Sequence, residues 1–234
     1  MGDHGDMRQL VDLSHRIEDA MTTYPGLPGP VIGEHLGFEA SRGHYAPGTE
    51  FHIGRIEMVA NTGTYLDTPV HRFPDGWGLE ELPLERVFDV PAVVVDAAGA
   101  IGTEVLPPPG DLVDRAVILR TGWSRHWGRN EYGAGGHPHL GEEAAEALVR
   151  AGVALVGIDS LNIDSTTGDE RPIHTRLLAA GIPIIEHLTN LDQLPPDREV
   201  HVTALPPAVV GLGSFPVRVV ASWEEPSPAE RLTE

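Results

Sequence analysis

The stretch NTGTYLDTPVHRF, Asn61 to Phe73, decides how this chain is read. It sets a glycine turn, a carboxylate, a proline and an imidazole in quick succession. Behind it runs FHIGRIEMVA, in which Phe51, Ile53 and Ile56 are flanked by polar residues or glycine, the period-two pattern of a strand. A strand that delivers polar side chains into such a turn holds them at fixed angles. Asn61, Tyr65, Asp67 and His71 are the ones with chemistry to offer.

Outward from this motif, apolar runs alternate with glycine and proline. PAVVVDAA, RAVILRTG and VALVGIDS read as buried strands, each closed by a polar residue or glycine. LGEEAAEALVRAG reads as a helix, with acids in its first turn, Leu140, Ala144, Ala147 and Leu148 as its apolar positions, and Gly152 as terminator. HTRLLAAG reads as a shorter helix leading into the strand IPIIEHL, and HVTALPPAVVG with FPVRVVASW as a last strand pair. Many strands and few helices imply an α/β fold with a mixed sheet, as one domain over residues 1–234 whose tail, about 225–234, frays.

Composition removes whole classes of function. The formal charge of −19 repels phosphate backbones, so nucleic acid is not an expected partner. No apolar run is long enough to span a bilayer, and the opening MGDHGDMRQL has no apolar leader, so a cytoplasmic location is expected. The absence of cysteine excludes thiol nucleophiles, Cys-ligated zinc, iron–sulfur clusters and disulfides. All 16 basic residues are arginine, which excludes Schiff-base chemistry and a P-loop lysine.

The polar residues at strand ends are the candidates for chemistry: Asp67 and His71, Asp159 and Asp164 after VALVGI, His174 opening a helix, and Glu186 closing IPII. A buried carboxylate needs a partner, whether arginine, backbone N–H, metal or substrate, and for any one of these residues a structural ion pair explains it as well as catalysis. Tyr24 in TYPG, Trp123 and Trp127 beyond RTG, and His137 in GGHPHL are candidate walls of a substrate pocket, although core packing explains the aromatics almost as well.

In order along the chain, VDLSHRI, NTGTYLDTPVH, FPDGWGLEELPLE, VILRTGW, GIDSLNID, RPIHTRLLAAGIPIIEHLTNLDQL and ALPPAVVGLGSFPVRVVA resemble the cyclase family that includes bacterial kynurenine formamidase and isatin hydrolase. The resemblance implies a swivelling β/β/α domain, hydrolysis of a small amide, ester or lactone, and a homodimer or homotetramer. It also implies a divalent metal centre. Carried across, Asp67, His174 and Glu186 are metal ligands and His71 is the acid/base. The family signature, His-x-Gly-Thr-His-x-Asp-x-Pro-x-His, has two further histidine ligands where this chain has Asn61 and Tyr65. Three readings follow. One weakly held ion, Mn²⁺ or Zn²⁺, serves a hydrolase, with His71 moving protons and Asn61 contacting substrate. Or no metal binds, and Tyr65, His71, Asp67 and Glu186 work as acids and bases of a cyclase, dehydratase or isomerase. Or the protein binds a small ligand without turning it over.

Overall fold

The valine-rich runs become strands and lie side by side. A computed structural model of the chain describes residues 7–225. In chain order the elements are β1 (Met7–Asp12), β2 (Val31–Leu36), α1 (Phe38–Ser41), β3 (Ile53–Glu57), β4 (Tyr65–Asp67), β5 (Val90–Asp96), β6 (Ala100–Ile101), β7 (Ala116–Arg120), β8 (His139–Leu140), α2 (Glu142–Ala151), β9 (Leu155–Ile158), α3 (Pro172–Ala179), β10 (Ile184–Glu186), β11 (Val200–Ala204), β12 (Ser214–Pro216) and β13 (Val219–Glu225). Residues 226–234, part of the tail expected to fray, lie outside the described residues, and Glu225 still belongs to β13.

Nine strands form one mixed sheet in the order β1-β13-β11-β5-β7-β9-β10-β4-β12. Its centre, β5-β7-β9-β10, is parallel, and antiparallel strands flank it on both sides. Parallel strands are covered on both faces, and the alternation along β7 shows how. Val117 and Leu119 pack with Leu148 of α2 and Leu177 of α3, whereas Ala116 and Ile118 pack with Leu79, Leu82 and Val202 on the opposite face. Both helices fall where the sequence places them, with Gly152 ending α2 at φ 71°, a conformation glycine adopts without a Cβ clash.

FPVRVVASW does not form one strand. It breaks at Val217 and Arg218 into β12, at one edge of the sheet, and β13, next to the other edge. In a flat sheet those strands would stand about 34 Å apart, whereas the three Cα steps from Pro216 to Val219 reach about 11 Å. The sheet must therefore curl upon itself. Bonds between the β1 side and the β4–β10 side hold it: Thr189 N–H to the Leu13 carbonyl at 3.0 Å and His15 N–H to the Thr64 hydroxyl oxygen at 2.9 Å, with Ser14 bridged to Leu188.

FHIGRIEMVA forms a strand as read, β3, which pairs with β2 in an antiparallel ribbon separate from the main sheet. Val31, Ile32, Phe51, Ile53 and Ile56 all stand exposed there.

Close approach of β12 to the loop after β4 depends on Gly213. A Cβ at that position would collide with the backbone of His71 and Val70. Gly213→Ala is expected to lower stability by about 2 kcal/mol, the usual cost of overpacking. Thermal melts check this, and an unchanged melting temperature would show that the edge strand can move aside.

Candidate functional site

Pairing of β4 on both edges assembles the polar cluster. Tyr65 stands opposite Glu186 of β10, and Asp67 opposite Ser214 of β12. Side chains two apart share a face, so Tyr65 and Asp67 point one way and Leu66 points into the core. Asp67 and Glu186 are fully buried.

Asp67 Oδ1 accepts the hydroxyl of Ser214 and, at 3.5 Å, the amide of Asn61. Ser214 Oγ also lies 2.9 Å from His71 Nδ1. Because the serine proton goes to the carboxylate, which can only accept, His71 must donate its Nδ1 proton to Ser214. His71 Nε2 is then left with a lone pair. His174 is oriented by a second carboxylate: Asp164 accepts its Nδ1–H at 2.7 Å, and also the backbone N–H groups of Ile173 (2.7 Å) and His174 (3.0 Å) in the first turn of α3. The other His174 nitrogen, Nε2, faces Asp67 Oδ2 at 3.7 Å and Glu186 Oε1 at 3.6 Å. Glu186 is engaged through both oxygens, by Ile163 N–H at 2.6 Å and by the Tyr65 hydroxyl at 2.5 Å.

The electrostatics follow from three buried carboxylates around one imidazole. Burial alone would lower the pKa of His174, but Asp164, Asp67 and Glu186 override it and raise it to about 10. Burial raises Glu186 to about 7, with Asp67 adding and His174 opposing. Burial would also raise Asp67, yet His174, His71 and Ser214 together hold it below its usual value. Tyr65 is pushed well above 10 by burial and by the charges of Glu186 and Asp67.

The donor set fits a single divalent ion. Ligand atoms of Asp67, His71 and His174 lie within 4.8 Å of one another. Asp67 Oδ2 is buried with no hydrogen-bond partner among the described residues, so an acceptor stands open beside the imidazoles. The Asp164–His174 pair has the form of a carboxylate that orients a metal-binding histidine.

Beside this cluster lies a cleft of about 740 Å³, lined by His15, Met21, Thr23, Trp127, Tyr132 and neighbouring residues. His15 stacks on Trp127 at 3.9 Å, Trp127 meets His187 edge-on at 5.5 Å, and His187 lies 5.2 Å from Tyr65. A chain of rings thus joins the cleft to the carboxylates. Trp127 stands in the cleft wall, as its sequence context suggests. Trp123 does not line the cleft but donates its indole N–H to the Tyr132 carbonyl at 3.2 Å. Tyr24 is half-buried between cleft residues Thr23 and Pro25 without lining the cleft itself. His137 is buried, with ring nitrogens on the Pro138 carbonyl (3.1 Å) and on Thr166 (3.1 Å), and faces a separate, smaller cavity. Asp159 accepts the Thr121 and Gly122 N–H groups and fixes the RTG turn.

The sequence reading passed over Ser214, His15, Tyr132 and His187. No local pattern marks them: Tyr132 lies in a glycine-rich loop, His15 sits between Ser14 and Arg16, and Ser214 and His187 each occur once at the edge of an apolar run, so the one available signal, for all but Tyr132, was their place in the family segments VDLSHRI, EHL and GLGSFP.

A curled mixed sheet that sets a buried carboxylate between two imidazoles, beside an aromatic-lined cleft, is the architecture of a small-molecule hydrolase. The family model described as "Putative cyclase" matches residues 11–165, and the chain belongs to that Cyclase family. A kynurenine formamidase of Bacillus mycoides (strain KBAB4) is 29% identical over 214 residues, 91% of this chain and 96% of the relative. One of Salinibacter ruber is 29% identical, covering 90% of this chain and 96% of its own length. Among solved structures, isatin hydrolase A from Labrenzia aggregata, bound to benzyl benzoate, superposes with a TM-score of 0.77 at 25% identity, covering 93% of this chain and 94% of that one. A structure described as a potential metal-dependent hydrolase with cyclase activity gives 0.73 at 25% identity, over 94% and 100% of the two chains.

Burial on the face of Trp127 lowers His15 to about pKa 4. Unfolded, its pKa returns to 6.5, so between these values the unfolded chain binds the extra proton and stability is lost as pH falls. His15→Phe, which keeps the stacking ring, is expected to gain in melting temperature over the parent as pH drops from 7 to 4.5. A difference independent of pH would show that His15 charges freely in the folded state.

Proposed function

We propose that this protein hydrolyses a small amide, ester or lactone, an arylformamide or cyclic amide above all, at the cluster built on Asp67. One observation carries the reading: the buried, unpartnered Oδ2 of Asp67 facing an imidazole that Asp164 orients. Asp67 and His174 would hold one divalent ion, Mn²⁺ or Zn²⁺, with Glu186, whose Oε1 lies 3.6 Å from His174 Nε2, closing the set in place of His71, which we assign to proton transfer although its ring also lies within reach of the ion. When bound, that ion supplies Lewis acidity toward a carbonyl and acidifies an attacking water. His71, about a third exposed and with its Nδ1 proton committed to Ser214, takes a proton at Nε2 and returns it to the leaving group. Ser214 orients His71, Asn61 steadies Asp67, and the Tyr65 hydroxyl fixes Glu186. Trp127 and His15 wall the cleft that admits the substrate and excludes water from its apolar part. The names of the formamidase and isatin hydrolase relatives support the substrate class.

A second reading, acid/base cyclisation or isomerisation without a metal, is favoured by the 2.5 Å Tyr65–Glu186 bond, which joins a phenol and a carboxylate into one proton-holding pair. Calorimetric titration of metal-free protein with Mn²⁺ and Zn²⁺ separates the two. The hydrolase reading expects saturable binding, and acid release from isatin or formanilide that rises with bound metal. His71→Ala should retain the metal and a melting temperature within a few degrees while losing about 100-fold or more in kcat, the scale of a general base. Absence of heat at millimolar metal sinks the first reading in favour of the second, and absence of turnover across amides, esters and lactones sinks hydrolysis.

We also propose a cytoplasmic homo-oligomer of single-domain subunits. Among the described residues no helix is long and apolar enough to cross a membrane. The β2–β3 ribbon exposes Val31, Ile32, Phe51, Ile53 and Ile56 together, and a two-stranded ribbon is marginal without further packing. A second copy of the chain is the partner that the resemblance to dimeric and tetrameric family members supports. The double change Ile32→Glu, Ile56→Glu is expected to shift the protein to monomers in sedimentation, and an unchanged mass would remove the ribbon from the interface.

A further inference from the structure

Arginine supplies every strongly basic side chain of this acidic protein, and most of these side chains are held by partners. Arg120 is bound by Asp96, Arg176 by Glu142 and Glu146, and Arg218 by Asp12. Those without a carboxylate, such as Arg86, Arg125 and Arg171, donate to backbone carbonyls. Arg16 and Arg129 alone among the described arginines make no side-chain hydrogen bond and no ion pair. Both are exposed, and both line the cleft of about 740 Å³. Water satisfies an exposed guanidinium, so a single arginine without a partner says little. That both fall on the same cleft, beside its flat wall, is the observation that points to a ligand.

Their neighbours explain how they come together. His15 and Trp127 stack at 3.9 Å with their planes 5° apart, which ties two distant segments into one wall. Arg16 follows His15 directly. Arg129 follows Trp127 after Gly128, which turns the chain at φ 73°, a conformation that favours glycine. Each arginine therefore starts beside a ring of the wall and carries a planar fork of N–H donors. Glu18 lines the same cleft and opposes their charge. His15 adds a ring but no charge at neutral pH, because burial holds its pKa at about 4. The wall thus has a net charge of about +1, in a chain whose formal charge is −19. That local reversal admits an anion to a protein that repels anions elsewhere. One net positive charge matches a carboxylate better than a phosphate monoester, which carries about −2.

We propose that Arg16 and Arg129 bind a carboxylate of a planar aromatic ligand, at a point away from the bond that is broken, so that the cleft selects aromatic monocarboxylates over uncharged compounds of the same shape. The inference rests on the proposed reading of the cleft as the substrate site, and names the charge class that the site takes. Trp127 and His15 face the aromatic part, while the carboxylate stays near solvent between the exposed guanidinium groups. Glu18 limits the anion to a single charge.

The test uses three probes on one aromatic frame: 2-naphthoate, the uncharged and nearly isosteric 2-acetylnaphthalene, and 2-naphthyl phosphate. Their binding to the full chain is measured by equilibrium dialysis at neutral pH, in low and in high salt. The parent protein is expected to hold 2-naphthoate about tenfold more tightly than the ketone, the worth of a charge-assisted contact at a partly solvated site. Salt should shrink that preference. Arg16→Gln and Arg129→Gln should each cut it a few-fold, and the double change should bring it to about one with ketone binding unmoved. A merely structural role for the arginines would weaken the ketone as well. Arg129→Lys, which keeps the charge and loses the fork, should retain part of the preference, and Glu18→Gln should raise naphthoate affinity. No preference in the parent overturns the proposal. Full preference surviving in the double variant also overturns it, and assigns the carboxylate to the cluster at Asp67. Tighter binding of the phosphate than of naphthoate overturns the choice of a monocarboxylate. Absence of hydrolysis with the arginine-dependent preference intact would remove the reaction and keep the anion site, and the reverse would remove the anion site alone.

Discussion

Two residues, Val217 and Arg218, join opposite sides of a nine-stranded sheet, and the rest of the architecture answers to that short tether. Because the link cannot stretch, the sheet curls until Leu13 meets Thr189 and His15 meets Thr64. The curl places β12 against β4, which sets Ser214 opposite Asp67 and brings His71 within reach of both. It also brings the segment after β1, with His15, beside the loop carrying Trp127. The polar cluster and the wall of the cleft are thus products of one closure, although their residues are scattered from one end of the chain to the other.

Within that frame, charge balance is set by His174. Three carboxylates are buried around it, and unpaired charges in such a place would cost several kcal/mol each. Asp164 is satisfied by the first turn of α3 and by the imidazole, Glu186 by Ile163 and Tyr65, and Asp67 only at one oxygen. The remaining open oxygen and the free imidazole edge define the direction from which a positive charge or an electrophile enters. Polar side chains that fully satisfied one another would make a stable core with nothing left for chemistry.

Much of this was legible in the sequence because periodicity and residue type carried it. The parallel strands announced themselves as short valine-rich runs and α2 by its acids and Gly152, while Asp67 and His71 stood out in the opening motif, Glu186 as a charge closing an apolar run and His174 at a helix start, the four being gathered as one set by the order of family segments. Other parts were hidden for physical causes. FPVRVVASW has the composition of one strand, and nothing local says that the chain crosses a seam at Val217. The alternation in FHIGRIEMVA is that of a half-buried strand, yet the ribbon it forms has no layer of this chain above it. Ser214 and His187 acquire their roles only through partners more than fifty residues away, Asp67 and Tyr132, so their meaning lies in the fold.

The register between β4 and β10 makes one unit of two positions far apart in the chain. Tyr65 and Glu186 are direct cross-strand partners, and the phenol holds one oxygen of that carboxylate while Ile163 N–H holds the other. Removing the phenol strips a buried carboxylate oxygen of its donor, and removing the carboxylate leaves a buried hydroxyl without its acceptor. The consequence is non-additivity: whatever each exchange costs alone, the two together do not cost the sum, because the second change no longer breaks a bond that the first has already removed.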